Sequence, residues 1–348
     1  MKTAGVFTFH RAWNYGACLQ AMATVEAFRE IGINARIADY VNPNEQAGKH
    51  GAVAFLKNAL LNKKKYAGRA FKGELCDSDT PIFNKAALDS IIDTDILVAG
   101  SDQIWNPEIT GGLDDAFFLR YGKCKRKIAY GPSVGSHVYT PEEQNKLKNW
   151  LDDFHAIGVR DSFAAEQIAK CTQIPIQKVC DPTILLTREQ WHEWSAMPEG
   201  IAEKPYALIY LVGGQLHKYR TVLKDYLSKI KMPVYYMQVS SLPATGVRSI
   251  RGANLREFVG LIENAEVVIT DSFHGAAFAL NMGTPLLAVD NVHNPVRVRR
   301  LLSETGMTGC LLPESMKIVF EADYAKARKC LDRKRASSLE WLKSNCVW

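Results

Sequence analysis

The segment ITDSFHGAAF (residues 269–278) places acid, hydroxyl and imidazole side chains directly after an apolar run. A strand would end there, and Gly275 would begin a helix with small residues in its first turn. Exposed N–H groups at a helix start attract anions, and a nearby anion favours the imidazolium form of histidine. We therefore predict that His274 donates a proton beside a bound anion, with Ser272 and Gly275 as donor-binding residues. A purely structural histidine is the alternative.

A second polar set follows another apolar run, in GSDQIWNP. Carboxylate and amide groups bind the hydroxyl pairs of a sugar, an indole face covers its C–H patch, and a carboxylate can act as a general base. We predict Asp102 as the base or a sugar anchor, and Gln103 and Trp105 as acceptor-binding residues. The alternative is that Asp102 caps a helix while Trp105 fills the core.

Two further turns offer groups that hold anions. In FHRAWNYGA, Gly16 lets a ligand approach the backbone at a helix start, and Asn14 and Tyr15 can hydrogen-bond a sugar or a phosphate. In VRDSF, Arg160 can hold a carboxylate or phosphate in bidentate fashion at the end of a strand. The structural alternatives are a turn that closes a helix start and an ion pair between Arg160 and Asp161 or another acid.

Two weaker signals complete the set of polar turns. Gly213 and Gly214, in VGGQLH, could cradle a phosphate or help to hold the acceptor, but they match no fixed fingerprint. Asp181 precedes a proline in CDPT, a combination that is typical of a turn.

The elements that must position these turns alternate between strands and helices. An apolar run at 4–9 predicts a strand, apolar residues recurring every three or four positions from Cys18 to Phe28 predict a helix, and 34–40 predicts the next strand. This β-α-β unit is the start of a parallel sheet. The alternation restarts after a linker candidate at 195–205 that contains proline and glycine. Ligands of open parallel sheets bind at the carboxyl ends of strands, where all the polar turns above fall.

The chain of 348 residues is long enough for two domains. We predict an α/β protein with an N-terminal Rossmann-like domain over 1–196 and a C-terminal Rossmann-like domain over 197–320. A charged helix within 321–348 would pack back on the N-terminal domain. The segment 43–83 is basic and irregular, and its sequence suggests no role.

Composition excludes several classes of protein. The net charge of +6 is too small to indicate a nucleic-acid partner, although basic clusters at 63–72, 123–127 and 297–300 suit anionic molecules or the phosphates of membrane-carried substrates. Solvated surface is the alternative for each cluster. The eight cysteines form no C-x-x-C pair, which favours free thiols in a reducing compartment and no metal site. We expect neither a signal peptide nor a membrane span.

The runs FTFHRAWNYGACLQAMA, VAGSDQIWNP, YGPSVG, VRDSFAA, VCDPTILLTREQW and VITDSFHGAAFALNMGTPLLAV, in this order, resemble the polysaccharide pyruvyl transferase family. The resemblance implies two Rossmann-like domains in a GT-B-type arrangement with an interdomain cleft. His274 and Gly275 match the Arg-x-His-Gly motif of the family, but Ser272 stands where its arginine is expected. Either another cation takes the place of that arginine, for which Arg160 is the first choice, or the donor differs.

The resemblance also implies a reaction and its partners. Phosphoenolpyruvate would be the donor, a sugar of a lipid-linked or nucleotide-linked glycan precursor the acceptor, and a cyclic pyruvate ketal the product. This reaction needs no cofactor and belongs to the synthesis of exopolysaccharides and other cell-surface glycans. We expect a cytoplasmic protein with peripheral contact at the inner face of the membrane and no nucleic-acid partner.

Two other functions remain open on the sequence. A GT-B glycosyltransferase would bind a nucleotide sugar through Gly213, Gly214 and the helix at Gly275. A non-catalytic glycan-binding protein would explain the missing arginine at Ser272.

Overall fold

The computed structural model describes residues 1–12, 14–46, 81–201, 205–212, 231–237, 247–291, 296–312 and 323–348. The predicted acceptor-binding residues Gly213 and Gly214, the basic cluster at 63–72 and most of the segment 43–83 lie outside these residues. The described residues form two compact units. One comprises the described residues of 1–46, 81–186 and 334–348, and the other those of 187–333.

The first unit is built on a parallel six-stranded sheet, whose strands are β1 (Lys2–Phe7), β2 (Ile33–Ile37), β3 (Ile96–Ala99), β4 (Arg126–Tyr130), β5 (Ala156–Val159) and β6 (Ile176–Lys178). Their order across the sheet is β2-β1-β3-β4-β5-β6. The described α-helices of this unit up to Leu186 are α1 (Tyr15–Glu30), α2 (Lys85–Ile91), α3 (Pro107–Thr110), α4 (Pro141–Leu151), α5 (Ser162–Ala169) and α6 (Pro182–Leu185). A 3-10 helix occupies Pro43–Gln46.

The second unit repeats this architecture on a parallel five-stranded sheet, with strands β7 (Ala207–Tyr210), β8 (Val234–Met237), β9 (Arg248–Ile250), β10 (Val267–Thr270) and β11 (Leu286–Ala288). Their order is β11-β10-β7-β8-β9. Its described helices are α7 (Arg188–Trp194), α8 (Leu255–Glu263), α9 (Phe273–Met282) and α10 (Val296–Thr305), with a 3-10 helix at Thr308–Cys310. The prediction of an α/β chain with two Rossmann-like sheets is confirmed.

Local signals explain where the helices begin and end. Asn14 caps α1 by accepting a hydrogen bond from the Gly16 N–H at 2.9 Å, and the chain leaves the helix through Gly32, whose φ of 81° favours glycine. Thr140 and Glu143 form a capping box at the start of α4. The central strands are fully buried and rich in branched apolar residues, as parallel strands covered on both faces require.

A long helix, α11 (Tyr324–Cys346), belongs to both units, because the first unit resumes at Lys334. Within the first unit, the Ser338 hydroxyl accepts a hydrogen bond from the Cys180 N–H at 2.9 Å. The Arg335 Nε donates to the Ile184 carbonyl at 2.8 Å. The last part of the chain is therefore a structural component of the first sheet's unit.

The first unit ends at Leu186, before the predicted boundary at 196. Helix α7 follows directly and packs in the second unit, where the Trp191 ring meets the edge of the Phe278 ring with centroids 4.8 Å apart. The proline- and glycine-containing segment comes only after this helix, which is why composition alone points to a later boundary.

In the part of the chain that the structure describes, no helix is long and apolar enough to cross a bilayer. The same residues contain no group of three or more His, Cys, Asp or Glu side chains arranged to hold a metal ion.

Candidate active-site residues

A buried ionic cluster lies at the carboxyl edge of the first sheet. Arg160 follows β5, and its guanidinium donates to the Asp102 carboxylate at 3.0 Å and to the Asp181 carboxylate at 2.7 Å. It also approaches the Ser101 hydroxyl at 3.3 Å. The Arg160 side chain is only 4% exposed. The cluster thus joins the loops that follow β3, β5 and β6.

The surroundings of Arg160 do not suit the predicted donor-binding role. Burial alone would lower the pKa of Arg160, but the neighbouring aspartates, Asp102 first, outweigh burial and raise it. The guanidinium therefore stays charged, and this charge is shared between two protein carboxylates rather than offered to an anion. The ion pair with another acid, which the sequence left open as the alternative, is what the structure contains.

Asp102 occupies an unusual backbone position directly beyond β3. Its φ is 73°, in the left-handed region that non-glycine residues rarely adopt, although aspartate tolerates it better than branched residues do. The Asp102 carbonyl accepts a hydrogen bond from the Ser133 N–H at 2.8 Å. The ion pair with Arg160 fixes the Asp102 carboxylate in place, and 14% of the Asp102 side chain remains exposed to solvent. A positioned carboxylate of this kind can accept a proton from a hydroxyl.

Of the two predicted acceptor-binding residues that follow Asp102, Trp105 differs from expectation, and the role of Gln103 stays a prediction. Trp105 is 1% exposed, its indole N–H donates to the Phe117 carbonyl at 2.9 Å, and its ring stacks on Phe118 with centroids 4.9 Å apart. The prediction that this indole covers a sugar ring is wrong, because the residue fills the core. The Gln103 side chain is partly buried, and its Oε1 accepts from the Asn106 side chain at 2.9 Å.

The turn before α1 is also explained by local structure. Asn14 is exposed, and its side chain engages the Gly16 N–H as the helix cap. Tyr15 is buried to 1% exposure, so its ring is part of the core and not available as a donor-binding group. Of the three predicted donor-binding residues in this turn, Asn14 alone presents its side chain to solvent.

One polar cluster at the same edge was not predicted. The His10 imidazole contacts the Asp39 carboxylate at 2.8 Å through Nε2 and the Thr8 carbonyl at 2.9 Å through Nδ1. Arg11 donates to the same carboxylate through Nε at 2.6 Å and through Nη2. Burial would raise the pKa of Asp39, but the hydrogen bonds from His10 and Arg11 outweigh it, so the net shift is downward. A usable signal existed, because His10 and Asp39 follow adjacent parallel strands.

At the carboxyl edge of the second sheet, the polar residues that follow β10 have distinct partners. Ser272 is the N-cap of α9 and accepts from the Gly275 N–H at 3.3 Å. Asp271 accepts from the Val212 N–H at 2.7 Å, which ties the loop after β10 to the end of β7. His274 lies in the first turn of α9, is 5% exposed and meets the edge of the Phe273 ring with centroids 5.2 Å apart.

Gly275 serves close packing rather than the predicted approach of a ligand. A Cβ added there would lie 2.6 Å from the Thr270 hydroxyl and 3.0 Å from the Tyr210 ring. Its N–H is already engaged by the Ser272 side chain. Glycine at this position lets α9 sit tightly on the sheet, as one glycine of dinucleotide-binding folds does.

Known protein structures share this fold at low sequence identity. A UDP-N-acetylglucosamine 2-epimerase crystal structure is similar with a TM-score of 0.51 and 13% identity, over 98% of this chain and 90% of that chain. The UDP-GlcNAc 2-epimerase of Methanocaldococcus jannaschii gives a TM-score of 0.49 and 13% identity, over 95% of this chain and 92% of that chain. The first of these likenesses places the chain among GT-B-like α/β folds and establishes nothing about its substrate. No curated protein sequence matches the chain.

The sequence itself identifies the family more closely than the fold does. The family model described as polysaccharide pyruvyl transferase matches residues 14–294. This range includes α1, every strand from β2 to β11 and all the polar turns discussed above except the one that contains His10 and Arg11. The chain therefore belongs to the polysaccharide pyruvyl transferase family and is a transferase.

Proposed function

We propose that this protein transfers the pyruvyl group of phosphoenolpyruvate to two hydroxyls of a sugar in a glycan precursor, forming a cyclic ketal. Membership of the family supports the reaction class. The observation that carries the proposal is Asp102, a carboxylate held beside Arg160 on a left-handed backbone position at the carboxyl edge of the first sheet. Strained, fixed polar residues at such edges are typical of active sites.

The reaction requires a proton donor, a base and binding groups for two anionic substituents. Protonation of the terminal methylene of the enol makes its neighbouring carbon electrophilic, and a sugar hydroxyl adds there. Phosphate then leaves, and the second hydroxyl closes the ring. Of the two hydroxyl protons, one replaces the proton given to the methylene and the other leaves with phosphate, so no cofactor or redox partner is needed.

We assign the role of base to Asp102 and the role of acid to His274. Asp102 accepts the hydroxyl proton, and Arg160 acts as a positioning residue that fixes the carboxylate. His274 donates the proton to the methylene from the first turn of α9. His274 is only 5% exposed, so proton transfer requires the donor to reach a buried imidazole. Asn14 remains a candidate for contact with the donor because its side chain is exposed.

Phosphate release from phosphoenolpyruvate in the presence of a lipid-linked or nucleotide-linked glycan precursor tests the function directly. We expect Asp102→Asn and His274→Gln each to lower turnover about 10²- to 10⁴-fold, the usual contribution of a positioned acid or base. Asp153→Asn and His192→Ala are matched controls on partly exposed side chains and should leave turnover unchanged. Wild-type turnover in either active-site variant would remove that residue from the mechanism.

A nucleotide-sugar glycosyltransferase is the alternative, and a second experiment distinguishes it. Thermal unfolding is measured with phosphoenolpyruvate and, separately, with UDP-GlcNAc. Stabilisation by phosphoenolpyruvate supports pyruvyl transfer, whereas stabilisation by the nucleotide sugar alone favours the alternative.

We further propose that the protein works in the cytoplasm at the inner face of the membrane, where lipid-linked precursors are assembled. Co-sedimentation with anionic vesicles tests this location.

A further inference from the structure

We propose that Arg297 is the cation that binds the phosphate or carboxylate of the donor on the second sheet. This inference rests on the proposed function, because phosphoenolpyruvate carries two anionic groups and needs positive charge to hold them. Ser272 supplies no charge at the start of α9. Arg160 is committed to two aspartates, and Arg11 is held by Asp39.

Arg297 lies beside the proposed proton donor. Its guanidinium carbon is 4.9 Å from the centroid of the Phe273 ring. The edge of the same ring meets the His274 imidazole, with centroids 5.2 Å apart and the planes at 82°. Cation, aromatic ring and imidazole therefore form one contiguous row at the start of α9.

The backbone places this row at the carboxyl edge of the sheet. Val289, just beyond β11, donates its N–H to the Thr270 carbonyl at 2.9 Å. The Asn291 side chain reaches the Asp271 carbonyl at 3.4 Å. The chain segments that leave β10 and β11 thus run together, and α10, which carries Arg297 in its first turn, follows from them.

The contact with Phe273 suits a guanidinium that binds anions. An arginine over an aromatic face uses its π surface for that contact, whereas its N–H donors lie in the guanidinium plane and match a carboxylate or phosphate in bidentate fashion. Phe273 and Arg297 are both half-buried. The Phe273 ring therefore restrains the Arg297 side chain at a position that is only partly buried. A restrained guanidinium loses less entropy when it binds an anion than a mobile one does.

The next arginine on the same helix provides a control. Arg299 is 56% exposed and donates through Nε to the Asp290 carboxylate at 2.7 Å. Arg299 is the matched control for Arg297, because both substitutions remove one positive charge from α10.

The test measures phosphoenolpyruvate binding to the full chain by titration calorimetry, with no acceptor present so that turnover does not interfere. Loss of a charge-assisted pair of hydrogen bonds predicts about 10- to 100-fold weaker binding by Arg297→Met. Arg297→Lys keeps the charge but loses the planar fork and should fall between that variant and the wild type. Phe273→Leu should weaken binding about two- to fivefold, the value of an exposed to partly buried cation–π contact. Arg299→Met should bind as the wild type does.

Steady-state kinetics separates binding from folding. We expect Arg297→Met to raise the KM for phosphoenolpyruvate while the KM for the acceptor and the thermal unfolding midpoint stay unchanged. Binding of phosphoenolpyruvate by Arg297→Met within twofold of the wild type would overturn the role of Arg297 and leave the proposed function intact. A wild-type protein that binds no phosphoenolpyruvate would refute both.

Discussion

Arg160→Met should strongly destabilise the first unit. The substitution removes the partner of two carboxylates that are held in the interior, and the Asp181 side chain among them is only 1% exposed. Breaking a buried pair by deleting one member typically costs about 3–5 kcal/mol, because the remaining charge is desolvated and uncompensated. For a unit of this size, such a loss lowers the unfolding midpoint by about 6–20 °C.

Urea unfolding combined with hydrogen exchange of the β3 and β5 amides measures this loss in the first unit. Adding Asp181→Asn to Arg160→Met should recover part of the stability, because the amide removes one uncompensated charge and its oxygen can still cap α6 as Asp181 does. The deficit of the single variant should also shrink at low pH, where the carboxylates that lost their partner take up protons in the folded state.

Lys127→Met is the matched control for the deletion of a cation. Lys127 pairs at 2.6 Å with Asp153, whose side chain is 46% exposed, so the loss should stay within about 1 kcal/mol. A loss below about 1 kcal/mol in Arg160→Met itself would show that the cluster is not energetically buried, and it would remove the argument that Arg160 fixes Asp102.

Three further predictions follow from other parts of the structure. The pKa of Asp39 is lowered in the folded protein, so Asp39 stabilises the fold at pH values above its unfolded-state pKa of about 4. This stabilisation is lost as the pH falls through the folded-state pKa. Asp39→Asn should therefore flatten the decline of the urea midpoint between pH 6 and pH 3. Gly275→Ala should cost about 1–3 kcal/mol by overpacking against the sheet, whereas Gly309→Ala, with no heavy atom within 4 Å of its added Cβ, should unfold as the wild type does. Burial raises the pKa of Cys180 to about 11 and that of Cys346 to about 12, so iodoacetamide at pH 8 should label both thiols only after unfolding. Rapid labelling of the native protein would contradict their burial.

The alternation of strands and helices was predictable because each element carries its own signal. Apolar runs mark the buried strands, and the ends of α1 and α4 follow from a cap, a capping box and a glycine. Strand β9 carried no such signal, since it is only three residues long and mixes charged, polar and apolar side chains. Its place in the sheet comes from pairing with β8, which only the tertiary structure supplies.

The site was harder to predict because the same residue types bind ligands and cap helices. Ser272 and Asn14 both follow strands, as ligand-binding residues do, and both proved to be N-caps. The prediction that Trp105 binds a sugar was wrong for a related reason, because an indole next to a carboxylate in the sequence is compatible with a sugar site and with a packed core. No local pattern reveals that Arg160 meets Asp102 and Asp181, which lie 58 and 21 positions away along the chain.

The position of the second unit within the chain has a consequence for synthesis on the ribosome. The chain leaves the first unit at Leu186 and returns to it at Lys334. At 5–20 residues per second, the intervening stretch occupies the ribosome for roughly 7–30 s. Throughout that interval the nascent first unit lacks the hydroxyl of Ser338 for the Cys180 N–H and the guanidinium of Arg335 for the Ile184 carbonyl. The second unit can thus mature first, and the half of the protein that is translated earliest is the last to be completed.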